Sequence, residues 1–448
     1  VVNFFKKPLL IILSLALVLT LYVNPGKVDA SIDLDADAAI LIDAESGKIL
    51  YQKSIDSILP IASMTKMMSQ YLIFEAVENG TISWDQEVPI SEFVRDLSRN
   101  TTLSNVYLRQ DFSYTVRDLY ESVTIYSANA SMIALTELIA GSESEFVRMM
   151  NAKAEELGLT DYEFVNSTGL NNSDLNGNHP EGTGADAENV MSARATAQLA
   201  YHLVNDYPEV LETASIPKKE FTAHPEDEAV LMENWNWMVS GIKPDLERFA
   251  YDGIEGLKTG STSTAGAAFT GVAKRGDIRL ISVVMRTPTR EARFVETAKL
   301  LDHGFNHFSK AEIVDAGYAP EGLNILEVAG GKEKEVTVST VDSLSTIVRN
   351  GEEDLYATEI VFGGTALNEN GEVVAPFEAG TEVGTLSLVY TGEEEEEFIY
   401  TTQRPEVAVV TNEAVEKAGW FSMTMRSIGG FFAGIWNGVA DAVKGLFS

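Results

Sequence analysis

Ser63 and Lys66 stand three residues apart in LPIASMTKMM, Leu59 to Met68, a stretch that is otherwise mostly apolar. That spacing is close to one helical turn and puts both side chains on one face. A buried lysine is costly unless it is paired or loses its charge. Neighbours such as Ile61, Met67 and Met68 would desolvate Lys66 and depress its pKa far enough for it to serve as a base. A serine hydroxyl is a weak nucleophile until a base takes its proton. At the start of a helix the Ser63 N–H would also be an unpaired donor, free to point at a developing oxyanion. The chemistry on offer is acyl transfer through a serine ester. Taken alone, the same spacing equally describes a capping serine and a snorkelling lysine.

Two further clusters supply what such a pair needs. YSAN, Tyr126 to Asn129, interrupts two helices. There Ser127 could pass a proton between Lys66 and a leaving amine, and the Asn129 amide could hold a substrate amide. GLKTGST, Gly256 to Thr262, ends an apolar strand. Lys258 would offer fixed positive charge, Thr259 a hydroxyl, and Gly260 room for a substrate backbone to approach.

The elements that must carry these residues are readable from periodicity. AAILIDAESGKILY, Ala38 to Tyr51, predicts a hairpin, and Pro60 precedes a helix over 62–78. Helices are expected over 116–126, 130–140, 143–157 and 193–204, the third opened by a capping box of Ser142 with Glu145. NSTGLNNSDLNGNHPEGTG, Asn166 to Gly184, is polar and rich in Gly and Asn, and predicts a loop. Strands follow over 254–259, 267–273 and 280–285, then a helix over 290–305. Strands at both ends with helices between predict an α+β domain. Beyond about Lys310 the pattern has period two: 333–340, 357–362, 381–390 and 396–402 predict a small all-β domain. The acidic run Glu393–Glu397 predicts a solvated turn or edge.

Composition narrows the class. The chain has 448 residues, no Cys and a formal charge of −34. Disulfides, thiolate metal sites and cysteine nucleophiles are excluded, and so acidic a chain repels nucleic acid. Lys6 and Lys7, the apolar run Leu9–Val23 and VDA at Val28–Ala30 predict a secretory signal cut after Ala30. From Trp420 to the end, Phe421, Met425, Ile428, Phe432, Ile435, Val439, Ala442 and Leu446 step by three or four. Over that span Arg426 and Lys444 outnumber Asp441, a slight basic excess on an acidic protein, which predicts an amphipathic helix lying in a membrane surface.

Ser-x-x-Lys, Ser-x-Asn and Lys-Thr-Gly, in that order, form the set shared by β-lactamases and penicillin-binding proteins, here with Ala128 where the middle piece often has Asp. With NSTGLNN, GLKTGSTSTAG, the small β domain and the amphipathic tail, the chain from about Ala38 onward resembles the low-molecular-mass penicillin-binding proteins that are serine-type D-alanyl-D-alanine carboxypeptidases (peptidase S11). The resemblance implies a penicillin-binding, β-lactamase-like α+β domain. It implies Ser63 as the acylated nucleophile, Lys66 as its base, and Ser127 and Asn129 as the second catalytic element. Lys258 and Thr259 would clamp the terminal carboxylate, with Gly260 beside the substrate backbone and the N–H groups of Ser63 and Ser261 as oxyanion donors. Arg293, in REARFVETAKLL, matches a family arginine near the site; an exposed helix charge is the other reading. The implied partners are peptidoglycan stem peptides ending in D-Ala-D-Ala and β-lactams, with no metal or cofactor. The expected organisation is a signal peptide over 1–30, a catalytic domain over 31–309, a β-sandwich over 310–407 and an anchor helix over 408–448, on the outer face of the cytoplasmic membrane.

Three rivals differ from this reading. Metal hydrolysis would need ligands, and of five His only His303 and His307 have helical ligand spacing, without a Glu in the zinc-peptidase position of HGFNH. A β-lactamase or DD-endopeptidase would share the acyl-enzyme, but a β-lactamase has no use for the β domain and tail. A non-catalytic wall-binding protein should lack one of the catalytic groups, and all are present.

Overall fold

The computed structural model describes residues 32–224, 226–393, 395–400 and 404–419. The signal peptide and the amphipathic helix expected from the sequence lie outside these residues. Among the described residues no helix is long and apolar enough to cross a membrane. Everything below belongs to the compact unit that begins at Asp35.

The frame of the site is a five-stranded antiparallel sheet. Its order is Ile254–Thr262, Gly266–Arg275, Ile278–Thr287, Ala38–Asp43 and Ile49–Lys53. All six residues of Ala38–Asp43 are buried, so both faces of the sheet are covered. Ile40 and Ile42 point into the large helical core that includes Leu199 and Leu203 of helix Ala193–Asp206. Leu41, on the opposite face, meets helix Ala292–His307: a Cβ at Gly304 would lie 2.8 Å from the Leu41 side chain. The result is a three-layer α/β/α stack, the α+β fold that the element order predicts.

Several expected elements change in detail. The helix expected over 62–78 is a 3₁₀ turn, Ala62–Thr65, followed by the α-helix Lys66–Glu78. Residues Lys66 to Phe74 of that helix are all buried, which makes it the central helix of the domain. Ser142 does cap helix Glu143–Glu156 through the Glu145 N–H. The Glu145 carboxylate, however, turns to Arg148. The full capping box is made by Thr115 and Asp118 at helix Val116–Tyr126.

The β domain holds a six-stranded sheet and a two-stranded pair, Phe308–Val314 with Leu344–Arg349, around Val336, Val338, Val383, Leu386 and Val409. Its strand Glu406–Thr411 pairs with Glu382–Tyr390 and Glu335–Thr340, so the expected boundary at 407 falls inside a strand. Of the strand expected over 396–402, the described residues 396–400 are not part of this sheet. Phe398 instead bridges Lys48 beside the edge strand Ile49–Lys53, with Ile49 N–H donating to Glu397 O at 2.8 Å and Ile399 N–H to Gly47 O at 2.9 Å. Ile399 is buried in the catalytic core, and Gln198 Nε2 donates to its carbonyl at 2.8 Å. Glu396 is no solvated turn residue either: it pairs with the buried Lys48, and Tyr356 OH donates to it.

Candidate active site

The nucleophile turn explains why three residues suffice. In a 3₁₀ helix the side chains at i and i+3 eclipse. Ser63 is in that turn, and Lys66 closes it with its N–H on the Ser63 carbonyl. Lys66 Nζ accordingly lies 3.1 Å from Ser63 Oγ. Ala62, just before the serine, has φ +47°, in the left-handed region that non-glycine residues seldom occupy. Strain of this kind persists only where surrounding structure enforces it. Two glycines do so. A Cβ at Gly169 would lie 1.9 Å from the Ala62 carbonyl oxygen, and one at Gly260 would lie 2.4 Å from the Ile61 oxygen. The room expected at Gly260 for a substrate is thus filled, on its Cβ side, by the chain's own backbone.

Lys66 is wholly buried and has three oxygen neighbours: Ser63 Oγ, Asn129 Oδ1 at 2.7 Å and Thr168 O at 2.6 Å. Two of these have no proton to give. A neutral amine turns its two N–H bonds to them and its lone pair to the Ser63 hydroxyl, which is the geometry of a general base. Burial, helped by the positive charge of Lys258, holds the Lys66 amine well below the usual lysine range.

Asn129 and Ser127 each hold one of the two lysines. Asn129 spends its amide internally, Oδ1 on Lys66 and Nδ2 donating to Ser104 O at 2.9 Å, so it orients the lysine. Ser127 ends helix Val116–Tyr126 at φ +59°. Its Oγ accepts from Lys258 Nζ at 3.0 Å. Lys258 also lies 3.3 Å from Thr259 O, and burial together with Arg293 pushes its pKa down to about 7. Arg293 is not an exposed helix charge. It is 2% exposed and donates to Gly260 O at 3.1 Å. Burial and Arg290 lower its pKa to about 9, which leaves it cationic at neutral pH.

Ser63, Ser127, Thr259, Ser261, Trp235 and Arg290 border one cleft of about 390 Å³. The sequence reading missed Trp235, whose Nε1 donates to Tyr126 O at 3.0 Å, and Arg290, whose guanidinium lies 5.8 Å from the Trp235 ring centre. It also missed Thr168, which acts through its backbone. The signal for Thr168 lay in the asparagines of the loop. Asn166 Oδ1 accepts from Thr168 N–H at 3.1 Å and Gly169 N–H at 2.7 Å, and Asn189 Oδ1 accepts from Val165 N–H at 2.6 Å. Among the described residues no group of three acidic, His or Cys side chains could hold a metal ion. His307 Nδ1 lies 2.9 Å from the His303 carbonyl.

Comparison with known proteins agrees with this geometry. Residues 25–289 match the D-alanyl-D-alanine carboxypeptidase family, peptidase S11, and residues 308–417 match the C-terminal domain of penicillin-binding protein 5. D-alanyl-D-alanine carboxypeptidase DacF of Bacillus subtilis is 30% identical over 90% of this chain and 92% of its own. A peptidoglycan synthesis regulatory factor (PBP3) of Streptococcus pneumoniae superposes with TM-score 0.71 at 34% identity, over 86% of this chain and 100% of that one. Penicillin-binding protein D2 of Listeria monocytogenes, crystallised in an ampicillin-bound form, gives TM-score 0.50 at 32% identity, over 61% of this chain and 98% of that one. A serine–lysine pair in a strained turn, two lysines of depressed pKa and a buried arginine behind one cleft thus occur in a chain that belongs to the peptidase S11 family of serine D-alanyl-D-alanine carboxypeptidases.

Proposed function

We propose that this cleft removes the terminal D-alanine from peptidoglycan stem peptides ending in D-Ala-D-Ala. Ser63 Oγ attacks the carbonyl of the penultimate D-alanine while its proton passes to Lys66. The N–H groups of Ser63 and Ser261 receive the oxyanion. The C–N bond then breaks, and the leaving amine takes the proton from Lys66 through Ser127, which leaves Lys66 neutral again. Lys258, Thr259 and Arg293 hold the free carboxylate, and Asn129 keeps Lys66 in register. Water hydrolyses the acyl-enzyme with Lys66 again as base. β-Lactams enter the same path because their strained amide mimics the scissile bond, and the ampicillin-bound relative supports this. The observation that carries the reading is the Lys66 amine, with two acceptors on its N–H bonds and the Ser63 hydroxyl on its third side.

The same reading places the enzyme outside the cytoplasmic membrane. Residues 1–30 serve as export signal, 31–309 as catalytic domain, 310–407 as the body of the β domain, and the amphipathic tail within 408–448 as a membrane-surface anchor. The test is incubation with a pentapeptide ending in D-Ala-D-Ala. Free D-alanine should appear, and a β-lactam should leave one adduct on the peptide containing Ser63. An adduct on Ser127, or no D-alanine from folded protein, would overturn the assignment.

A further inference from the structure

We infer that Glu143 is a positioning residue for the lysine base. It holds the Thr168 carbonyl on Lys66, and it supplies the negative charge that balances the Lys66 ammonium formed when Ser63 gives up its proton. This rests on Lys66 being the base proposed above.

Glu143 opens helix Glu143–Glu156, where the helix dipole favours an anion. It is 8% exposed. Its Oε1 accepts from Ser167 N–H at 2.9 Å and from Ser167 Oγ–H at 2.6 Å. Ser69 Oγ donates to the Ser167 carbonyl at 2.7 Å, so residue 167 is gripped from two helices. The next carbonyl, Thr168 O, receives Lys66 Nζ. Glu143 Oε2 is buried without a hydrogen-bond partner among the described residues. A neutral glutamine could accept both Ser167 bonds, so structure alone does not call for a buried acid, whose desolvation is costly.

The charges around the pair give that acid a purpose. Those acting on Lys66 are Lys258, from strand Ile254–Thr262, and Glu143. Those acting on Glu143 are Glu137, from helix Asn129–Ala140, and Lys66. Lys66 thus feels both a cation and an anion. When the Ser63 oxygen–carbon bond forms and the hydroxyl proton moves to Lys66 Nζ, the new ammonium repels Lys258, and Glu143 offsets that repulsion. Burial, aided by Glu137, pushes the Glu143 carboxyl up on balance, while both Ser167 bonds and Lys66 pull it back toward the charged form.

The experiment is the pH profile of acylation of the full chain by a fluorescent penicillin, for wild type, Glu143→Gln, Glu143→Asp and Ser167→Ala. The rate should rise with pH as Lys66 loses its proton. Glu143→Gln removes the anion, so this limb should move to lower pH by roughly one unit, the size of one nearby charge in a partly buried site. Its plateau should fall roughly threefold to tenfold, because a weaker base accepts the proton less readily. Glu143→Asp keeps the charge and should keep the limb. A limb unmoved in Glu143→Gln, with only the plateau or the melting temperature lowered, would reduce Glu143 to a structural role and overturn the inference. Should Glu143→Gln not fold, Ser167→Ala answers instead. Losing the hydroxyl donor raises the Glu143 pKa further toward the neutral form, which withdraws the anion from Lys66, so the limb must again move down, and a fixed limb overturns the proposal. Failure of wild type to be acylated would sink the reading of the site itself, a separate outcome.

Discussion

The Lys258 amine donates to the Ser127 hydroxyl at 3.0 Å, while Lys66, one residue from the nucleophile turn, holds Ser63 and Asn129. The two lysines therefore serve different serines, one on the attacking side and one on the leaving side. Beyond burial, Lys258 lowers the affinity of Lys66 for a proton, and Arg293 lowers that of Lys258.

A pH dependence follows from Lys258. Its pKa of about 7 in the empty cleft means that its charge fades as pH rises above neutrality. A bound carboxylate favours the ammonium and raises that pKa. The descending limb of kcat/KM, which reports the free enzyme, should thus lie near neutral, and that of kcat should lie higher. Stability carries the same group with opposite sign. The unfolded chain binds a proton at Lys258 up to about its ordinary 10.5, so between 7 and 10.5 the unfolded state holds more protons and stability rises with pH. Lys258→Met should flatten that slope and raise the melting temperature while removing peptidase activity. A slope unchanged in Lys258→Met would show that the residue does not titrate in this window.

Gly169 offers a test of the strained turn. At φ +80° and with the Ala62 carbonyl in its Cβ position, it accepts no side chain. Gly169→Ala should cost roughly 2–4 kcal/mol by left-handed strain and overpacking. It should slow acylation by more than its stability loss explains, because the clash is with the residue that sets Ser63. Thermal denaturation and penicillin acylation at a temperature where the variant is folded separate the two. Normal acylation in the folded variant would free the nucleophile from this contact.

Much of this was legible in the sequence, for a physical reason. Ser63, Lys66 and Lys258 are polar groups in apolar runs, and desolvation chemistry has a sequence signature. Arg293 was not resolvable, since an arginine on an amphipathic helix reads alike whether it faces in or out. Thr168 acts through a carbonyl, which every residue has, so nothing in its identity marks it. The partner of Asn129, Ser104, lies 25 residues away and is set by tertiary packing. Residues 396–402 show the limit of periodicity. Alternation marked the segment as extended, but period two does not say which strand a segment lies beside, and the edge strand Ile49–Lys53 belongs to the other domain.

Arg293 should matter for substrates with a free carboxylate and not for amides. Arg293→Gln keeps a donor for Gly260 O but removes the charge. The loss in kcat/KM on a free D-Ala-D-Ala terminus should be about 1.5–3 kcal/mol, as for a hydrogen bond to a charged group. On the same peptide with an amidated C-terminus the variant and wild type should agree within about threefold. Equal losses on both substrates would mean that Arg293 only supports the strand beneath Lys258 and Thr259.

The last prediction concerns the contact between domains. Lys48 Nζ, 7% exposed, pairs with Glu396, 16% exposed, and also donates to Ile347 O at 2.9 Å and Tyr356 OH at 2.8 Å. Burial lowers the Lys48 pKa and Glu396 works against that, so the charge depends on its partner. Breaking a buried pair by removing one member leaves the other charge uncompensated, at a cost of about 3–5 kcal/mol. Glu396→Leu alone should therefore lower the melting temperature sharply. Lys48→Met with Glu396→Leu should recover most of it, since apolar replacement of both members is often neutral or stabilising. The pair lies beside the edge strand Ile49–Lys53, at the other side of the sheet from Lys258, so D-alanine release at a temperature where each variant is folded should match wild type. Calorimetry and the peptidase assay on the same samples decide it. A double variant no more stable than Glu396→Leu would assign the loss to packing around Ile399 and Phe398 instead of charge. Lost activity in folded protein would show that the β-domain contact reaches the cleft through the sheet.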